Sequence, residues 1–166
     1  MLTSKQFSKL GVLLASVGLV TLGVFGLIGF FAFRPSPIER FADSVDVQGF
    51  RKSETIRASD YLIETYWVGP AGADLRRLVT APHLRWQDEL GIPSSTQGFT
   101  QVADATAFEF TPYCNIQVFR VDRGFWTSGG RDLRRTAQDA WGLSTAEADE
   151  MTAGRLDVVA VLVDSC

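Results

Sequence analysis

The sequence has little of the side chains from which common catalytic and metal sites are built. Its 166 residues include one histidine and two cysteines, too few for the Cys and His spacings of a zinc site. The nucleophile elbow G-x-S-x-G, the P-loop, the dinucleotide-binding G-x-G-x-x-G and the metalloprotease H-E-x-x-H do not occur. The motifs therefore predict no catalytic residue, no metal and no cofactor.

Positive charge is also scarce in most of the chain. From Pro35 onward there are 13 Lys and Arg against 19 Asp and Glu, which leaves a net charge of −6. Such a surface repels phosphate backbones and anionic lipid headgroups, so we expect neither nucleic acid nor an anionic membrane surface as a partner. Over the whole chain Arg outnumbers Lys by 13 to 3, a composition that suggests a bacterial protein from a GC-rich genome.

Charge is absent altogether from Leu10 to Phe33. As a helix, these 24 residues extend roughly 36 Å, which is enough for the ~30 Å hydrocarbon core of a bilayer. The run is longer than the apolar region of a cleaved signal peptide, and the bulky residues that end it make a poor cleavage site. No cysteine follows it to carry a lipid. We therefore predict a permanent transmembrane helix at 10–33 after a short tail at 1–9.

The orientation of this anchor follows from the flanking basic residues. Lys5 and Lys9 precede the span, no acidic residue accompanies them, and Arg34 follows it. The positive-inside rule places the N-terminus in the cytoplasm and the remaining ~130 residues outside. The sequence thus predicts a single-pass protein of the plasma (inner) membrane with an extracytoplasmic domain.

One side of the predicted membrane helix is rich in small residues. At 100° per residue, five of them fall within about 60° of one line. They are Gly11, Ala15, Gly18, Gly26 and Gly29. Small side chains let a second helix approach closely in lipid, so we expect this face to pack on another membrane protein or on a second copy. The alternative is that glycine is simply frequent in membrane helices.

The two cysteines, Cys114 and Cys166, both lie on the predicted outer side. In an oxidising compartment the expectation is a disulfide between them. By the chain-entropy relation, closing a loop of about 52 residues stabilises the fold by about 4 kcal/mol. The bond would also hold the C-terminus, which otherwise tends to fray.

Local patterns predict an α+β domain at 60–166, joined to the anchor by a juxtamembrane linker at 34–59 with a short helix near 38–44. Strands are predicted at 61–68, 107–111, 115–121 and 157–164, with loops at 91–106 and 124–130. Helices are predicted at 73–79, 84–90 and 131–141, and after the capping-box pattern that begins at Ser144. The six consecutive apolar residues of the last strand indicate that both of its faces are buried.

A faint internal repeat suggests the fold. Asp-Leu-Arg-Arg occurs at 74–77 and again at 132–135, each time after a predicted strand and a glycine-bearing loop. Two such units predict a ferredoxin-like (split βαβ) fold or a related α/β sandwich. The usual ferredoxin-like order would separate the strands that carry the two cysteines, which is too far for a disulfide between regular strand positions. The disulfide and the ferredoxin-like order are therefore in conflict.

Two groups of side chains are candidates for a binding surface. If the repeated helices lie side by side, their arginines form a basic patch that would bind a carboxylate, a phosphate or an acidic partner. The alternative is that these arginines pair with nearby aspartates on solvated helices. Two adjacent aromatic residues in a glycine-flanked loop would either anchor a partner or fold into the core. The candidates are Arg76, Arg77, Arg131, Arg134 and Arg135, together with Phe125 and Trp126.

The predicted function is binding. We expect a single-pass extracytoplasmic accessory protein, a subunit or assembly factor of a larger membrane or cell-envelope complex. One alternative is an envelope hydrolase that uses His83, or a carboxylate pair such as Glu64 and Glu109, as general acid and base. A ligand-binding sensor is the third possibility, although a tail of about nine residues is too short for an output domain.

Overall fold

A mixed α+β architecture is built around one antiparallel sheet. The structure is a computed structural model that describes residues 35–88, 95–96, 98–107, 114–128, 132–164 and 166. The helices are α1 Pro37–Ser44, α2 Leu75–Leu78, α3 Arg123–Ser128, α4 Leu133–Trp141 and α5 Thr145–Thr152. The strands are β1 Asp46–Val47, β2 Arg51–Ser59, β3 Leu62–Pro70, β4 Val79–Thr80, β5 Leu84–Trp86, β6 Ser95–Thr96, β7 Phe99–Ala107, β8 Cys114–Val121 and β9 Leu156–Asp164.

The predicted anchor lies outside the described residues, and so does its small face of Gly11, Ala15, Gly18, Gly26 and Gly29. Within the described ranges, no helix combines the length and apolar character needed to cross a bilayer.

The strands of the sheet follow the order β2–β3–β9–β8–β7–β5, every neighbouring pair is antiparallel, and β6 pairs with β7. The α+β class is therefore confirmed, but the ferredoxin-like order is wrong. In that fold the last strand lies at an edge beside the first, whereas β9 lies between β3 and β8. Residues 158–163 of β9 are all apolar, so both faces of this strand have to be packed against other elements. A strand in the interior of the sheet meets this requirement.

The disulfide agrees with this order. Asn115 on β8 pairs with Asp164 on β9, so the two cysteines lie beside the same end of neighbouring strands. Cys114 and Cys166 are bonded, with their Cα atoms 4.2 Å apart. The predicted bond is confirmed, and the conflict seen in the sequence is resolved in its favour.

Helices cover both sides of the sheet. On one side, here called the α1 face, Ile38 and Phe41 of α1 pack with Val159 and Val161 of β9. On the opposite side, the α4 face, helices α4 and α5 pack against the alternate residues of the same strands. The buried residues of that core include Leu133, Ala137, Trp141, Met151, Tyr66, Val158 and Ala160.

Side-chain caps explain where two of the helices begin. At the start of α1, the hydroxyl of Ser36 accepts from the Glu39 amide at 3.3 Å, and the Ser36 amide donates to the Glu39 carboxylate at 2.6 Å. Ser144 and Glu147 make the same reciprocal pair at α5, which confirms the predicted capping box.

Several elements differ from the local predictions. Residues 36–59, predicted as a linker with a short helix near 38–44, belong to the compact unit Ser36–Cys166. The predicted helix is present as α1, whereas β1 and β2 were not predicted. Residues 84–86 are a strand rather than a helix, and α3 and most of β7 replace predicted loops. The predicted strand at 107–111 overlaps the end of β7 at Ala107, and its other residues lie outside the described part. In each case pairing or packing overrides a weak local pattern.

Candidate functional site

The repeated Asp-Leu-Arg-Arg segments do not form one basic patch. Leu75 of the first is buried in the core of the α1 face, whereas Leu133 of the second is buried on the α4 face. The two helices therefore lie on opposite sides of the sheet. Each turns its leucine toward the sheet, so their arginines face solvent in two separate regions.

These arginines have local partners. Arg76 donates to the carbonyl of Gln87 at 3.0 Å, and Arg77 pairs with Asp74 at 3.1 Å. On the other face, Arg134 pairs with Asp149 at 2.6 Å and Arg135 with Asp139 at 3.2 Å. Arg131 lies outside the described residues. This geometry favours the alternative of solvated helices with local ion pairs.

The adjacent aromatic residues fold back onto the protein. Phe125 and Trp126 lie on α3, and the indole N–H of Trp126 donates to the Gly98 carbonyl at 3.0 Å. The Trp126 ring meets Trp141 edge-on at a centroid separation of 5.7 Å. Gly98 has φ +90°, and a Cβ there would collide with the Trp126 ring, so this contact requires glycine. Trp126 is half-buried against the core.

Trp126 is part of a cavity of about 470 Å³ on the α4 face, here called the aromatic cleft. Its aromatic wall consists of Tyr66, Phe99, Trp126 and Trp141. The ring centroids of the first, second and fourth are 5.3–6.2 Å apart, within the range of favourable aromatic pairs. The rest of the lining is Glu64, Thr136, Ala140 and Leu162.

Glu64 is the carboxylate of the cleft. The hydroxyl of Tyr66 donates to Glu64 Oε1 at 2.6 Å. Burial, followed by this bond and the charge of Glu64, raises the pKa of Tyr66 above its ordinary value, so the phenol remains a donor at physiological pH. Among the residues that the structure describes, no Lys or Arg pairs with Glu64. Within this described part of the chain, the negative charge of Glu64 therefore has no basic side chain paired with it.

The cleft continues onto a polar part of the same sheet face. Glu64 pairs in register with Leu162, Leu162 with Gln117, and Gln117 with Asp104. The next row contains Leu62, Asp164, Asn115 and Thr106. These side chains are all half-buried, and the polar ones are outside the core formed under α4 and α5.

Charge of one sign dominates this polar part. Glu64, Asp164 and Asp104 all point to the α4 face, and Asn115 donates to Asp164 at 3.0 Å. Arg85 is placed on this face by its pairing with Thr106. It lies on the edge strand β5, four strands from β3 and thus about 19 Å from Glu64.

Asp104 allows a test of this charge distribution. Burial, and then the nearby charge of Asp164, raise the pKa of Asp104, while a hydrogen bond from Gln101 opposes them. Because the folded-state pKa is the higher one, ionised Asp104 destabilises the fold at neutral pH. We expect Asp104→Asn to raise the melting temperature at pH 7. The gain should shrink as the pH falls through the folded-state pKa and vanish below the unfolded-state value of about 3.9.

The matched control is Asp60→Asn, at a position whose side chain is 82% exposed, where no such gain is expected. Melting curves of both variants between pH 3 and pH 8 test the expectation. A gain for Asp104→Asn that is the same at every pH would contradict it.

The other predicted catalytic groups lie elsewhere. His83 is exposed in the turn before β5 with φ +52°, and it lines neither the aromatic cleft nor the second cavity described below. Glu109 lies outside the described residues. Across the part of the chain that the structure describes, no group of three His, Cys, Asp or Glu side chains is arranged to hold a metal ion.

A second cavity, of about 450 Å³, lies next to an ion-pair cluster at Asp157. Asp157 is 3% exposed and accepts from Arg123 at 2.5 Å and from the Gly72 amide at 3.0 Å, while Arg120 lies 3.4 Å away. Asp122 also lines this cavity, so two carboxylates balance two guanidinium groups. This arrangement neutralises a buried aspartate and leaves no excess charge for a ligand.

Comparison with models of known protein families, with curated proteins and with solved structures finds no match. The function is therefore inferred from the geometry. The structure places Trp126 in the aromatic cleft with Glu64 and Tyr66, neither of which the sequence predicted as part of a binding surface. A signal for the last two was present, because residues two apart on a strand share a face.

Proposed function

We propose that this protein is a single-pass, membrane-anchored extracytoplasmic binding protein, a subunit or assembly factor of a larger complex, and that the aromatic cleft receives its partner. The observation that carries the proposal is an open cavity with four aromatic side chains and one carboxylate that no basic side chain of the described residues pairs with. Tyrosine and tryptophan are enriched among the residues that dominate binding energy at interfaces. Their apolar rings gain from leaving water, while their polar atoms find partners.

The location of the binding site is supported by the contrast between the two sides of the sheet. The α1 face buries residues of the four strands β3, β9, β8 and β7, and partly buries residues of β5, under α1, α2 and the short β1–β4 pair. On the α4 face, burial extends to Ala160 and Phe119, and the next rows are half-buried and polar. A partner seated in the cleft would cover the aromatic wall and extend over these rows.

The extracytoplasmic location is supported by the disulfide, because such bonds persist in oxidising compartments. The proposed anchor at 10–33 would hold the domain at the outer surface of the membrane. Its small face would contact the membrane-embedded part of the same complex.

A substitution that fills the cleft tests the proposal. Ala140 is exposed on α4 and lines the cleft, so Ala140→Trp adds bulk there without disturbing buried contacts. We expect it to lower recovery of the wild-type partner by at least about tenfold, which corresponds to about 1.4 kcal/mol of binding free energy. The measurement is quantitative co-purification of the full-length protein in mild detergent, with cross-linking to identify the partner.

Ala146→Trp is the matched control, because Ala146 is also exposed, lies on α5 and is outside the lining of the cleft. It should leave recovery unchanged. A second arm, Gly18→Leu with Gly26→Leu, should also weaken recovery if the anchor contributes to the interface. Wild-type recovery with Ala140→Trp would refute the cleft as the binding site.

A further inference from the structure

The aromatic cleft has a chemical asymmetry that indicates its occupant. It offers ring surfaces and the carboxylate of Glu64, and the described residues supply no cation to that carboxylate. The faces of aromatic rings attract cations through their quadrupole. A half-buried carboxylate loses part of its hydration and gains most from a paired positive charge. Both features favour the same kind of ligand group.

We propose that the cleft binds a lysine or arginine side chain of a partner polypeptide, an assignment that rests on the proposed function of the cleft. The charged tip would pair with Glu64, and the apolar stem would lie against the aromatic wall and Leu162. Lysine and arginine combine these two properties, since a long methylene chain leads to the charged group.

The surroundings of the cleft favour a polypeptide. Leu162 continues the lining toward Gln117, and Ile56 on the edge strand β2 is paired with Glu64 and 40% exposed. These apolar and hydrogen-bonding groups extend beyond the cavity and would contact residues on either side of the inserted side chain. A small free amine would leave them unused.

The negative charge of the α4 face favours a basic segment of the partner. Glu54 pairs in register with Tyr66, and Asp164 and Asp104 lie further along the same face. The register places two opposing charges on this face: Arg85, on the far edge strand, and Arg51, which pairs with Val68 and is already bound to Glu147. A basic segment would therefore approach along a favourable potential.

Paired peptides test this inference on the full-length chain in a non-ionic detergent. The probes are acetyl-Gly-Arg-Gly-amide and the same peptide with citrulline, which keeps the shape of arginine and lacks its charge. Trp126 and Trp141 lie in the cleft, so their fluorescence reports occupancy. We expect saturable binding of the arginine peptide that is at least about tenfold tighter than binding of the citrulline peptide.

Glu64→Gln should lower affinity for the arginine peptide by about tenfold and remove the preference over citrulline. Glu150→Gln is the matched control, because Glu150 has the same charge and lies outside the lining of the cleft; it should bind as the wild type does. Circular dichroism of each variant verifies its fold.

Two results with the wild-type chain would each overturn the inference: equal affinities for the two peptides, or no binding of either peptide at about 10 mM. Neither result depends on the variants. These outcomes are distinct from failure of the proposed function. Reduced partner recovery by Ala140→Trp, together with equal peptide affinities, would keep the cleft as a binding site and exclude a cationic group. Unchanged recovery by Ala140→Trp would refute the site itself.

Discussion

Replacing Cys114 and Cys166 by alanine is expected to lower the free energy of unfolding by about 4 kcal/mol. The two residues are 52 positions apart in the sequence, and the bond removes the conformational freedom of that loop from the unfolded chain. For a domain of this size, the loss corresponds to a decrease in melting temperature of about 10–15 °C. Unfolding in urea, with and without a reductant, measures the effect.

The reductant provides the control. It should destabilise the wild type by the same amount and leave the double variant unchanged, because that variant has no bond to reduce. A decrease below about 1 kcal/mol would mean that the loop is already restricted in the unfolded chain or that the reduced fold relaxes. That result would contradict the expectation.

Asp157→Ala is expected to cost about 3 kcal/mol of unfolding free energy. Asp157 is 3% exposed, and its removal takes away the carboxylate shared by Arg120, Arg123 and the Gly72 amide, so the two guanidinium groups keep only backbone carbonyls as partners. Breaking a buried ion pair from one side is costly because the remaining charge is only partly hydrated. Chemical denaturation at pH 7 measures the cost.

Arg155→Ala is the matched comparison for an exposed ion pair. Arg155 pairs with Glu150, and their side chains are 63% and 44% exposed, so solvent screens the pair and its loss should cost far less than the loss of Asp157. Asp157→Asn keeps an acceptor oxygen and should fall between the two. Equal costs for Asp157→Ala and Arg155→Ala would show that the buried cluster contributes no more than a surface pair.

The elements that the sequence predicted well carry strong local signals. The apolar run of β9 indicated an interior strand, and alternation in β8 separated Ile116 and Val118 from Phe119 and Val121, as the two cores do. Ser144 and Glu147 marked the start of α5 because a cap depends on residues three apart.

The elements that the sequence missed depend on distant partners. β2 reads Arg-Lys-Ser-Glu-Thr-Ile-Arg-Ala-Ser and is almost entirely exposed, so it has no pattern that predicts a strand. It is extended because it pairs with β3. On the α1 face, the buried residues of β7 are Ala103, Ala105 and Ala107. Alanine is a poor strand former, and pairing with β8 and β5 makes this segment a strand.

The candidate site could be predicted only in part, because most of its residues come together through distant contacts. Glu64 and Tyr66 share a strand face, so their proximity follows from a period of two. Phe99, Trp126 and Trp141 come from β7, α3 and α4, and their meeting depends on the strand order and on glycine at position 98. For the repeated Asp-Leu-Arg-Arg segments, the sequence suggested a proximity that does not exist. The two segments are identical, but they lie on opposite sides of the sheet.

Local sequence patterns were enough to predict the α+β class, the interior position of β9, the capped start of α5 and the pairing of the two cysteines. Each of these follows from hydrophobic period, capping geometry or the number of available partners, which are properties of neighbouring residues or of composition. The strand order, the opposite placement of the two arginine-bearing helices and the aromatic cleft became apparent only in the folded chain. These depend on contacts between residues far apart in the chain, whose energies come from pairing and burial rather than from local preference.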